Sequence, residues 1–246
     1  MAQIIHVGSG SGGKRANVVF LHGLGGDPRT SWQSGPNQQS FWPHWLAEDV
    51  TGLSVFSVDY EAPVTQWRGT AMHLVDLSNN LLARVLAEPQ LQTGQLNLIG
   101  HSLGGLVIKQ LLRTAESEAR SDAEAARLVE RVEKVVFLAT PHAGSDLAGF
   151  GNRMRILAKP SLLTAGLVQN DPHLRDLNHW YRSWANAKGV LHLILTETQA
   201  TRALGMIVEP DSSDPGSRGS EPDSGRCQSL DNLQTDRSDF RYLCLR

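Results

Sequence analysis

Ser102 stands between glycines in Gly100-His101-Ser102-Leu103-Gly104, a G-x-S-x-G pattern. A serine hydroxyl attacks a carbonyl once a base takes its proton, so this residue type in this setting points to acyl transfer through a covalent intermediate. The glycines matter because the pattern works on a sharp turn from strand to helix, which lifts the hydroxyl out at the C-terminal edge of a sheet. The same turn aims the backbone N–H of Leu103 at the carbonyl oxygen. A second glycine cluster, in FLHGLGGDPRTSW (Phe20 to Trp32), follows an early apolar run. There the backbone can approach a substrate closely, and the N–H of Leu24 becomes the second donor of an oxyanion hole. One such preorganised donor contributes roughly 3–4 kcal/mol in the transition state. No Lys-Ser or Lys-Thr pair follows these glycines, which separates the loop from a phosphate-binding one.

A sheet must hold both loops. Apolar runs recur at Ala16 to Gly23, Leu53 to Tyr60, Gln95 to Ser102, Lys134 to Thr140, Val190 to Thr198 and Leu204 to Pro210. They are unbroken rather than alternating, as parallel strands covered on both faces require. Thr70 to Ala87 and Leu106 to Ala115 carry apolar residues at three- and four-residue spacing and are expected to be helices. Strand and helix in alternation predict an α/β architecture, a doubly wound and mostly parallel sheet.

One connection is too long for this scheme. About 50 residues separate Thr140 from Val190, where the usual αβ connection has 2–6. Leu157, Leu162, Leu163, Leu167 and Val168 form an apolar stripe within it. The segment, about 145–187, is expected to be a helical cap over a binding cleft, with an extra pair of packed helices as the alternative. Residues 1–216 form the expected domain. The stretch 217–246 is rich in Ser, Arg and Asp without a sustained period, the composition of an irregular tail.

Composition narrows the partners. Apolar residues make up 40% and charged residues 20%, and the net charge is −2. That balance suits a globular protein and offers no nucleic acid a basic surface. No apolar run reaches the ~18 residues of a transmembrane segment. The first residues lack a basic start followed by a long apolar stretch, so a cytoplasmic location is expected. The two cysteines, Cys227 and Cys244, make neither a disulfide framework nor a zinc site. The expected chemistry calls for no cofactor and no metal, and the sequence is silent on oligomeric state.

With these motifs the chain resembles a lipase/esterase-type α/β-hydrolase. It is similar to the subgroup of the mitochondrial "serine active site containing" protein and its bacterial relatives. VVFLHGLGGDPRTSW, FWPHWLAEDV, LIGHSLGGLVIKQ, VVFLATPHAGSDLA and NDPHLRDLNHWY carry the resemblance, in order, from Val18 to about Gly216. It implies the α/β-hydrolase fold and hydrolysis of a small-molecule or lipid ester. Acyl transfer to an acceptor other than water uses the same residues.

The fold orders its triad Ser, acid, His along the chain. Glu197, at the end of LHLILTE, occupies the acid position, with Asp211 and Asp214 as weaker alternatives. The base should follow the last strand, beyond about Pro210. All nine histidines lie before it, the last being His192. His192 sits within a strand, His101 precedes the nucleophile, and His22 belongs to the oxyanion loop. His142, in TPHAGS, starts from a strand end on the correct edge and is the one candidate base.

The tail suggests why a histidine is missing. A permitted set of codons for Glu221 to Asp236, read one nucleotide later, gives Ser-Arg-Ile-Pro-Val-Asp-Ala-Asn-His-Leu-Thr-Ile-Cys-Lys-Pro. This resembles the family's histidine loop, an Asp-x-x-His set between apolar residues. The expectation is a change of reading frame between Gly216 and Glu221. The chain is then an esterase that has lost its base. The competing reading is a catalytically impaired hydrolase-fold protein that serves as a binding module or is a frameshifted remnant.

Overall fold

A computed structural model describes residues 2–33, 40–62, 71–142 and 172–195. Its strands are β1 (Gln3–Ser9), β2 (Ala16–Leu21), β3 (Leu53–Asp59), β4 (Gln95–His101), β5 (Val132–Leu138) and β6 (Leu191–Leu195). They form one six-stranded sheet in the order β1-β3-β2-β4-β5-β6. β1 runs antiparallel to β3, and the other neighbours are parallel.

The unbroken apolar runs follow from this arrangement. Val19 and Leu21 of β2 face one core, with Phe56, Val58, Leu98, Val135 and Phe137. Val18 and Phe20 face the other, with Val55, Ile99, Val136 and Leu138. Successive side chains of a strand point to opposite faces, so a strand covered twice needs apolar residues at every position.

The first core is covered by α2 (Ala71–Ala87), α3 (Leu103–Glu118), α4 (Ala123–Glu130) and α5 (Pro172–Lys188). α1 (Trp42–Asp49) covers the second, beside a 3-10 turn at Thr30–Trp32. There Phe20, Trp32 and Trp42 meet edge to face with centroids 4.7 to 5.3 Å apart. No described helix is long and apolar enough to cross a membrane.

Helix α5 lies within the segment expected to form a cap. Leu174, Leu177, Tyr181, Trp184 and Ala185 insert into the first core, so residues 172–187 form a crossover helix leading into β6. The rest of the expected cap, residues 145–171, lies outside the described residues. So do the expected strand Leu204 to Pro210 and the tail 217–246.

Candidate active site

β4 ends at His101 and α3 begins at Leu103, which leaves Ser102 alone in the turn. Its backbone angles are φ 54 and ψ −119. A non-glycine residue at positive φ is strained and persists only where its surroundings hold it there. The Ser102 N–H donates to Leu138 O at 2.8 Å, which ties the turn to the end of β5. The hydroxyl does not cap α3, and Ser102 as a whole is buried.

The glycines exist for close approach. A Cβ on Gly104 would lie 2.1 Å from Leu21 O, so no side chain fits where α3 crosses β2. A Cβ on Gly105 would lie 2.2 Å from Thr140 Oγ1. Thr140 is a side chain that can retreat, so Gly105→Ala should fold but lose about 1–3 kcal/mol. Urea unfolding checks this, and an unchanged midpoint would mean that Thr140 is not wedged against the turn.

The loop after β2, expected to supply an oxyanion donor, meets Ser102 from the side. A Cβ on Gly23 would stand 3.0 Å from Ser102 Cβ and 3.2 Å from His101 Nδ1. The Gly25 N–H is taken by Ala62 O at 2.7 Å and the Gly26 N–H by Gly23 O at 3.0 Å. Among the described residues, the Leu24 and Leu103 N–H groups make no such backbone hydrogen bond. Leu103 is fully buried, and Leu24 packs its side chain against the first core.

His22 braces this loop. Its ring stacks on Tyr60 with centroids 4.1 Å apart, and the Tyr60 hydroxyl donates to the His22 carbonyl. Nδ1 lies 2.9 Å from Gly23 O. A carbonyl only accepts, so Nδ1 carries the hydrogen. Burial holds the ring below its ordinary basicity.

Three further histidines near the sheet edge are engaged elsewhere. His101 turns toward Trp32, with centroids 6.3 Å apart, and burial pushes it down to about 4. His192 Nε2 pairs with the Tyr181 hydroxyl at 2.7 Å, and burial pushes it down to about 4 as well. His142 is buried, with its Nδ1 2.5 Å from Lys109 Nζ and its ring edge-on to Phe137. Desolvation, then the adjacent Lys109, holds His142 well below its usual basicity. No described histidine is hydrogen-bonded to the Ser102 hydroxyl. Glu197, Asp211 and Asp214 lie outside the described residues.

Lys109 escaped the sequence reading. It is fully buried in α3 and donates to Asn178 Oδ1 at 2.7 Å as well as meeting His142. Its one sequence signal is a charge inside the apolar run LGGLVIKQLL, seven residues beyond Ser102. Among the described residues, no cluster of three or more His, Cys, Asp or Glu is placed to hold a metal ion.

Comparison with known proteins agrees with this geometry. Residues 18–218 match the model of the alpha/beta hydrolase family. Protein SERAC1 of Bos taurus is 30% identical over 224 residues, covering 82% of this chain and 34% of the relative. Protein SERAC1 of Mus musculus is 30% identical over 212 residues, covering 78% and 32%. The chain thus spans about a third of the length of these relatives. Among solved structures, the mature Bacillus licheniformis lipase BlEst2 superposes with a TM-score of 0.53 at 16% identity, over 82% of this chain and 73% of that one. The sheet order, the strained serine between β4 and α3, and the family match together place this chain in the alpha/beta hydrolase family.

Proposed function

We propose that the chain descends from a serine hydrolase of carboxylic esters, lipid esters among them, with Ser102 as nucleophile. The observation that carries this is a strained serine facing a loop whose Leu24 N–H, like that of Leu103, has no backbone acceptor among the described residues. Ser102 Oγ would attack the ester carbonyl, and these two N–H groups would hold the oxyanion of the tetrahedral intermediate. Collapse breaks the ester C–O bond and expels the alcohol, which takes the proton that the base removed from Ser102, and water then hydrolyses the acyl-serine. The lipase named among the structural neighbours supports the fold that this chemistry uses.

The base is the weak part. Where Lys109 donates to His142, as it does to Asn178 Oδ1, Nδ1 accepts and the ring hydrogen stays on Nε2. In that tautomer Nε2 has no lone pair for the Ser102 proton. We therefore read His142 as a structural partner and assign the acid role to Glu197, serving a histidine that the restored frame supplies. The impaired-protein reading is favoured for this chain by one fact: no described histidine is bonded to Ser102.

Fluorophosphonate labelling tests the nucleophile. Slow labelling confined to Ser102 is expected, with complete loss in Ser102→Ala at unchanged thermal stability. Equal labelling of the two proteins, or a labelled site elsewhere, would remove Ser102 from the mechanism.

A further inference from the structure

We propose that Lys109 is a positioning residue: its hydrogen bond to His142 clamps Ala139–His142, the segment leaving β5, against the nucleophile turn Gly100–Gly105. The clamp stands on contacts inside the protein, and it rests on the ester-hydrolase reading only for its consequence at Ser102.

Lys109 lies in the second turn of α3, six residues beyond Leu103, so its Cα is about 9 Å along the axis from the helix start. Helical side chains lean toward the N-terminus, which carries the Lys109 stem toward the turn. Its Nζ meets His142 Nδ1 at 2.5 Å and Asn178 Oδ1 at 2.7 Å. It also lies 5.2 Å from the Phe137 centroid and 5.3 Å from that of Tyr181. Tyr181 passes the connection on to His192 of β6. One nitrogen thereby ties together α3, the segment after β5 and α5, and through Tyr181 reaches β6.

Simple packing does not explain this residue. A methionine would fill the same space without the cost of desolvating an ammonium, and buried ions replaced by apolar residues of similar volume often gain stability. Among the described residues no carboxylate pairs with Lys109. Desolvation, then the facing Arg182, lowers its basicity. The groups around it are His142 from the loop, Phe137 from β5, Asn178, Tyr181 and Arg182 from α5, and His192 from β6.

The clamped segment is where strain collects. Ala139 has φ 46, a second non-glycine residue at positive φ, and its N–H donates to Leu195 O at 2.8 Å. Thr140 lies 3.5 Å from Gly100 O through Oγ1 and presses on Gly105. Strain of this kind survives only when neighbours over-determine the backbone. His142, two residues beyond Thr140, is the anchor that holds the segment down, and Lys109 is what the anchor grips. His142 Nε2 is buried without a partner among the described residues, so the grip on the ring comes through Nδ1.

The experiment combines ring-nitrogen NMR with amide exchange and labelling. In ring-¹⁵N-histidine protein, His142 should show an unprotonated Nδ1 and a protonated Nε2, unchanged over roughly pH 5.5–8.5. His142→Asn keeps an acceptor near the Nδ1 position but cannot take a proton. It should leave Ser102 and Ala139 amide exchange, and fluorophosphonate labelling of Ser102, within about threefold of the parent, whereas Lys109→Met and His142→Phe should shift them by about tenfold or more. Exchange at Val107 and Leu112 serves as the control for global loosening. A protonated Nδ1, an unaffected Lys109→Met, or a His142→Asn as damaging as His142→Phe would overturn the clamp. If the parent does not label at all, the nucleophile assignment fails, while ring tautomer and amide exchange still decide the clamp. Should Lys109→Met not fold, the parent spectrum and the two His142 variants decide it.

Discussion

Replacing the chain after Gly216 with its frame-shifted translation should raise ester turnover by about 10³-fold or more. If Ser102 is the proposed nucleophile it needs a base, and each described ring near it already has other work. His22 spends its Nδ1–H on Gly23 O, His142 faces Lys109, and His101 turns away toward Trp32. On the proposed mechanism, a triad without its histidine retains only the residual acceleration of binding and electrostatics. The restored Asp-x-x-His segment would follow the last expected strand, at the sheet edge where Ser102 stands. The measurement is kcat/KM on p-nitrophenyl butyrate for the parent and the restored protein, with Ser102→Ala in each. Alanine at the restored histidine should return the rate to the parent's. A gain below tenfold would mean that the shifted frame does not supply the base.

The fold was largely legible because its central strands obey one rule. β2 to β5 are buried on both faces, and their unbroken apolar runs announce it. β1 was not legible. It is an edge strand whose residues are all partly or fully exposed, with a bulge between His6 and Gly8, so its pattern carries little apolar signal. Helix α1 was missed for its length: eight residues with Pro43 in the first turn offer barely two turns of periodicity. The stripe Leu174, Leu177, Tyr181 and Trp184 does have helical spacing, yet spacing does not say whether a helix covers a cleft or the sheet. The packing against the first core decides that.

At the site, the turn itself was readable because no side chain fits at Gly104 and Gly105 is crowded by Thr140. Chain order also placed His142 at the correct edge. It could not give the direction of the ring, which depends on Lys109, a partner 33 residues away on another element. Lysine in an apolar helix face usually reads as a solvated side chain with a buried stem. Its full burial emerges only when α5 closes over α3, and no local pattern encodes that closure.

The folded state should lose about 2 kcal/mol for each of His101 and His192 between pH 7 and pH 5. Both rings titrate at about 4 in the folded protein against 6.5 when unfolded, mainly because burial penalises the charged form. Between those values the unfolded chain binds more protons than the folded one, so stability falls as pH falls. The loss begins near 6.5 and is complete below about 4. His22 and His142, also shifted downward by burial, act in the same direction. His101 precedes Ser102 with its ring against Gly23, so its protonation strikes the Ser102 turn and the loop after β2 together. His192→Gln keeps a partner for the Tyr181 hydroxyl but cannot titrate. It should remove about 2 kcal/mol of the pH-dependent loss, whatever it does to stability at pH 7. Urea unfolding at pH 7, 6 and 5 for the parent and His192→Gln measures both slopes. Parallel slopes would show that the His192 ring is not desolvated in the folded protein. A parent whose stability is flat from pH 7 to pH 5 would show the same for His101 and for the core beneath the nucleophile.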